Sequence, residues 1–223
     1  FEHYATLHAK GDLSAIQNAT WSGLIEARLG SALRQVGQQS QEPPEELREQ
    51  LIALAAVGWE QKARDFILET GIVKDSLPDL FVTQENLGHS PYAALLRGGV
   101  LLESPASGGG KSISFRITDA GGYLLSFTLE KQSIDKEPPE DFRELVTGWL
   151  HEAWDFPPLL DAVLAWVDRL SVTPRSPQLL LLLEAILDTT RGNSVFRLMR
   201  PTVISSLFEL IKRGDEDDFY KYR

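Results

Sequence analysis

The sequence predicts an α+β fold that is predominantly helical, with helices flanking a small three-stranded antiparallel β-sheet at about residues 99–130. Three observations carry this. Apolar residues recur three and four apart through most of the chain, the period of a helix with one buried face. Between residues 98 and 131 the pattern turns to strict alternation. Proline pairs at Pro43-Pro44, Pro138-Pro139 and Pro157-Pro158 stand just ahead of helical stripes, where a missing N–H costs nothing.

Taken in order, Tyr4, Ala5, Leu7 and His8 begin a short helical stretch ending near Gly11, and Asp12 can cap the next ahead of Leu13 and Ile16. Leu24, Ala27, Leu29, Ala32, Leu33 and Val36 form a second stripe, closed by Gly37 and a polar loop from Gln38 to Gln41. Glu45 and Glu46 suit the positive end of a helix opened by Pro43-Pro44, whose stripe is Leu47, Leu51, Leu54 and Ala55. Gly58 is a candidate break, after which Trp59, Ala63, Phe66 and Ile67 resume the helical spacing as far as a C-cap at Gly71. Pro78 and Pro91 open short helices.

Ile113, Phe115 and Ile117 alternate with Ser112, Ser114, Arg116 and Thr118. After Asp119-Ala120-Gly121-Gly122, Tyr123, Leu125, Phe127 and Leu129 alternate with Leu124, Ser126, Thr128 and Glu130, which reads as a hairpin. Val100 to Glu103 adds the third strand. Helices follow with Phe142, Leu145, Val146 and Trp149, then with Leu159, Val163, Trp166 or Val167, and Leu170. Leu179 to Leu183 with Ile186 and Leu187 is apolar nearly all round, the mark of a central helix. Pro201 opens a last helix before the acidic tail Asp215 to Asp218. Three regions result, an N-terminal helical region (1–97), a β-meander (98–131) and a C-terminal helical region (132–223), together making one compact domain or two. The octamers at 42–49 and 137–144 agree at six of eight positions, and each is followed by Gly-Trp, but the offsets slip from 95 to 90 residues. A duplicated unit is one reading, but convergence on good helix-start chemistry explains the octamers without common origin, and the slipping offset favours it.

With 223 residues the chain can bury a core large enough to fold without disulfide, metal or cofactor. The longest charge-free run, Leu13 to Ile25, is 13 residues, too short to cross a bilayer. The formal charge of −10, with no block of Lys and Arg, argues against a nucleic-acid partner. Zero cysteine excludes thiolate zinc sites and cysteine nucleophiles. No signal-like segment is evident, so the expected setting is intracellular, and the sequon Asn18-Ala19-Thr20 then carries no glycan.

No motif fixes a reaction. Gly108-Gly109-Gly110-Lys111-Ser112 resembles a phosphate loop, but Pro105 occupies the first glycine position and a strand, not a helix, follows the lysine. His151-Glu152-Ala153-Trp154-Asp155 places His151 and Asp155 four apart on a helix, the spacing of two metal ligands, but Pro157 ends the helix and no third ligand is indicated. His3, His8 and His89 form no constellation. The five tryptophans fall mostly on apolar faces and read as core.

The expected function is therefore a non-catalytic protein–protein interaction module (an adaptor, assembly factor or complex subunit), binding a protein partner or a second copy. The alternative is a hydrolase whose carboxylate and histidine residues are distant in sequence. The interaction surface expected is the sheet face opposite the helices, carrying Ser112, Ser114, Arg116, Thr118, Ser126, Thr128 and Glu130. No proline interrupts either long strand and no lysine guards the edge, so an edge left open can accept another strand, the equal alternative being that the chain's own loops cover it.

Overall fold

The computed structural model describes residues 21–83, 89–106, 108–117, 119–134, 139–171 and 177–190. The helices expected before Gly11, after Asp12 and from Pro201, together with the sequon and the acidic tail, lie outside the described residues. The chain divides into two compact units, Phe1–Thr128 and Leu129–Arg223.

In the first unit α1 (Trp21–Ser40) buries Ile25, Leu29, Leu33 and Val36, the four-and-three spacing of one helical face. The helix runs three residues past Gly37, and the Ser40 hydroxyl donates to the Val36 carbonyl at 2.8 Å. Gln41 turns the chain with φ 60°. The second helix, α2 (Pro44–Glu60), opens as expected with Pro43 at its cap and Glu45 and Glu46 in its first turn, and it buries Leu47, Leu51, Leu54 and Ala55.

Gly58 does not break α2, and the helical stripe does not resume beyond it. Arg64–Phe66 is instead a single 3₁₀ turn, with Asp65 and Phe66 at φ 54° and 53°. The reason is packing. A Cβ on Gly58 would lie 2.5 Å from Phe66 Cδ1, and one on Gly121 would overlap the other side of the same ring. The buried Phe66 ring is thus wedged between two glycines, and it meets Phe115 edge-on with centroids 5.8 Å apart. Nor is Gly71 a C-cap. It lies inside α3 (Thr70–Ser76), which follows the two-residue strand β1 (Leu68–Glu69). Prolines open the 3₁₀ turn Pro78–Leu80 and α4 (Pro91–Arg97), the latter capped by the Ser90 hydroxyl accepting from Ala93 N at 3.3 Å.

The antiparallel sheet has three strands, in the order β1, β3 (Lys111–Phe115), β2 (Leu101–Pro105). β2 and β3 pair with Leu101 opposite Phe115 and Pro105 opposite Lys111, so both strands reach further toward the connecting turn than Glu103 and Ser112. Leu68 stands opposite Ile113, so Leu68, Leu101, Ile113 and Phe115 line the buried face.

The third strand is not the one expected. Residues Tyr123 to Leu129 belong to α5 (Ala120–Ser133). Tyr123, Leu124, Leu125, Ser126 and Leu129 are all buried, so this helix is enclosed nearly all round within that stretch and its sequence carries no one-sided stripe. Gly121-Gly122, read as a hairpin turn, instead lets the first turn of α5 approach Phe66. Tyr123 fixes this helix to its neighbours: its hydroxyl donates to Glu26 Oε2 at 2.5 Å, and Arg48 reaches both oxygens of the same carboxylate.

In the second unit α6 (Pro139–Glu152), α7 (Pro158–Ser171) and α8 (Pro177–Thr190) pack on one another, the first two opened by proline as expected and the third by Pro177, which the sequence reading did not single out. Trp166 is fully enclosed, its ring centroid 5.9 Å from that of Phe142 and 6.1 Å from that of Trp149. Leu179, Leu182, Leu183, Ala185 and Ile186 bury most of α8. The repeated octamers both open helices at their second proline, yet the following glycines differ: Gly58 is pressed on Phe66, whereas nothing lies within 4 Å of a Cβ at Gly148.

Candidate interaction surface

The sheet's second face follows from register. Directly opposed residues share a face, so Leu102, Ser114 and, one residue before β1, Ile67 form one row across the three strands. Ser104, Ser112 and Glu69 form the next row. Ile67 and Leu102 are 53% and 45% exposed, unusual for large apolar side chains beside hydroxyls. Ser114 sits half-buried between them, and Arg116 is exposed. The Ser104 and Ser112 hydroxyls lie 3.0 Å apart, which leaves Ser112 buried despite facing this side.

β2 is an edge strand in which Leu102, Glu103, Ser104 and Pro105 are all exposed. Arg116 N donates to Val100 O and Ala106 N to Gly110 O, so hydrogen-bonded pairs fall at even positions of β2. Leu101 and Glu103 therefore aim their N–H and C=O groups away from β3, while Pro105 aims only a carbonyl. The edge expected to be free of proline thus ends in one, and Lys111 faces it across the pair. Lys111 is engaged there: its ammonium donates to Glu103 Oε2 at 2.7 Å and the Tyr92 hydroxyl donates to Oε1 at 2.7 Å. These donors hold the Glu103 carboxyl below its ordinary value. Burial, then the hydrogen bond to Glu103, pushes the Tyr92 phenol up.

The structure brings Ser112, Ser114 and Arg116 together on one sheet face and does not bring Ser126, Thr128 or Glu130 to it, since those three are on α5. Ser126 is buried and donates to Tyr123 O at 2.6 Å, Thr128 is half-buried, and Glu130 pairs with Arg169 in the second unit. Thr118 lies outside the described residues. Ile67 and Leu102 were missed, although Leu102 was already assigned to the strand beside Ser114.

His151 and Asp155 are both exposed, but α6 ends at Glu152, so they do not share a helical face. Among the described residues no group of three histidine or acidic residues is placed to hold a metal ion, and no helix is long and apolar enough to cross a membrane. Two of the tryptophans read as core are exposed, Trp21 at 39% and Trp154 at 57%. Comparison of the chain with protein-family models, curated proteins and solved structures finds no match among any of them.

Proposed function

We propose that this chain is a non-catalytic protein-interaction module that receives an extended segment of a partner protein along β2. The observation that carries the reading is an edge strand with four consecutive exposed residues, Leu102–Pro105, bordering an outer face that shows Ile67 and Leu102 to solvent. An added strand would take main-chain bonds from Leu101 and Glu103 and lay its side chains against Leu102, while Ile67, on the far side of β3, stays outside its reach. A partner suits this edge better than a second copy. Antiparallel self-pairing centred on Glu103 would set two carboxylates opposite each other, and Pro105 would leave a missing donor on each side of the centre.

The test is a photo-crosslinking residue at Ser104, followed by affinity measurement with the crosslinked protein once purified. Glu103→Pro removes an outward donor without touching the β2–β3 bonds. It should weaken binding about tenfold, the worth of one main-chain hydrogen bond of roughly 1–1.5 kcal/mol. Glu103→Gln is the control for the lost carboxylate contacts to Lys111 and Tyr92, and it should keep the affinity that Glu103→Pro loses. Unchanged affinity for the crosslinked partner would refute the docking edge. A wild-type dimer in light scattering that Glu103→Pro dissolves would make the occupant a second copy.

A further inference from the structure

A buried carboxylate at the α1–α2 turn has no evident structural reason to be charged. The Glu42 side chain is 2% exposed, and neither of its oxygens has a hydrogen-bond partner. The nearest cationic candidate is His89, whose Nε2 lies 4.0 Å from Glu42 Oε1 and whose side chain is 15% exposed. Two further charges face the carboxylate, Glu46 on α2 and Arg97 on α4, both exposed to water.

Both segments are held against α1. A Cβ on Gly37 would lie 2.6 Å from the Glu42 carbonyl oxygen and 3.2 Å from Pro44 Cγ, so the turn folds tightly back on the end of α1. A Cβ on Gly98, just after α4, would overlap Val36. The Glu42–His89 contact therefore bridges two pieces of chain, 41–43 and 89–90, that α1 already brings together. Its burial leaves no approach for an outside ligand.

We infer that Glu42 and His89 form a proton-operated latch joining the α1–α2 turn to the start of α4. When the pair holds one proton, it is either uncharged or an opposed ion pair, and the buried site is electrically balanced. When it holds none, a lone carboxylate is left buried without hydrogen bonds, the costliest arrangement available to it. The turn and the Ser90 cap of α4 can then part to let water reach the carboxylate.

Amide hydrogen exchange on the full chain, corrected for intrinsic rates, tests this as pH is raised from the ordinary carboxylate range through neutrality, because burial raises the Glu42 carboxyl above that range. Protection of amides 90–100 and 42–47 should fall roughly tenfold as pH rises, the response to loss of one bound proton. Amides of α8 should keep theirs. Glu42→Gln should abolish the fall. A fall of the same size in Glu42→Gln, or none in the wild type, overturns the latch. Should that variant fold poorly, carboxyl-carbon NMR of the wild type gives an independent reading. The Glu42 resonance should titrate above the ordinary carboxylate range, and His89→Gln should move its midpoint further up. A midpoint inside the ordinary range refutes the proposal.

Discussion

Replacing Gly121 with alanine opposes two effects of known size. Gly121 lies in the first turn of α5, and alanine is favoured over glycine within a helix by at most about 1 kcal/mol. Against this, the new Cβ would overlap Cδ2 and Cε2 of the Phe66 ring. The ring cannot swing away: Gly58 closes its other side, Phe115 stands edge-on to it, and Phe66 is 4% exposed. Overpacking of a closed site costs about 1–3 kcal/mol, toward the upper end where no neighbour can yield. The net expectation is a loss of about 1–2 kcal/mol, lowering the melting temperature by roughly 3–7 °C for a chain of this size. Gly148→Ala is the control, because a Cβ there meets nothing within 4 Å inside α6, and it should stabilise by up to about 1 kcal/mol. Urea unfolding of Gly121→Ala, Phe66→Leu and the double variant completes a cycle whose coupling should be about 1 kcal/mol or more. A hairpin turn at Gly121 would also suffer from alanine, but without coupling to Phe66. A neutral Gly121→Ala, or a cycle with no coupling, refutes the wedge and with it the stated cause of the helix at 120–133.

Further expectations follow from local geometry. Asp65 holds φ 54° and ψ 22°, so Asp65→Gly should relieve left-handed strain and raise stability by about 0.5–1 kcal/mol in urea unfolding. Trp166 is fully buried with its indole Nε1 unpaired. Trp166→Ala should cost about 3–5 kcal/mol by calorimetry, and Trp166→Phe markedly less, since it removes the orphan donor along with the lost ring. Glu103 has its carboxyl held below the ordinary 4.5 by Lys111 and Tyr92, so its contribution is present above pH 4.5 and lost as pH falls through the folded-state value. Hydrogen exchange in β2 and β3 should quicken there beyond intrinsic rates, and Glu103→Gln should remove that acid response.

The parts of the fold legible in the sequence are those whose cause is local. Proline at a first helical turn and a one-sided apolar stripe need no knowledge of the rest of the chain, and α1, α2, α4, α6 and α7 were readable on those grounds, α8 instead from an apolar run too long for a strand. β2 and β3 were readable because β3 is buried on one face and wetter on the other, so alternation survives in Lys111–Phe115. Tyr123 to Leu129 defeated the same test because burial, not polarity, sets that stretch. A helix enclosed nearly all round can place a serine inside, provided its hydroxyl returns to the backbone, as Ser126 does to Tyr123 O. Apolar and small polar residues then alternate without meaning strand.

The candidate surface divides along the same line. Ser112, Ser114 and Arg116 were correctly placed on one face because β3 is the central strand and its period of two is enough to sort them. What borders them is not local. β1 is two residues long, too short to show any period, yet its register sets Ile67 beside Ser114. Glu42 is the sharpest instance. In Glu42-Pro43-Pro44-Glu45-Glu46 it is one acidic residue among three at a helix start, and composition alone assigns all three to water. Glu45 and Glu46 do face water, while Glu42 is enclosed, because the turn at Gln41 folds back across Gly37 and His89 arrives from 47 residues downstream. Burial of a charge is decided by which distant segment covers it, and the local pattern around Glu42 cannot name the segment of His89 as the one that does.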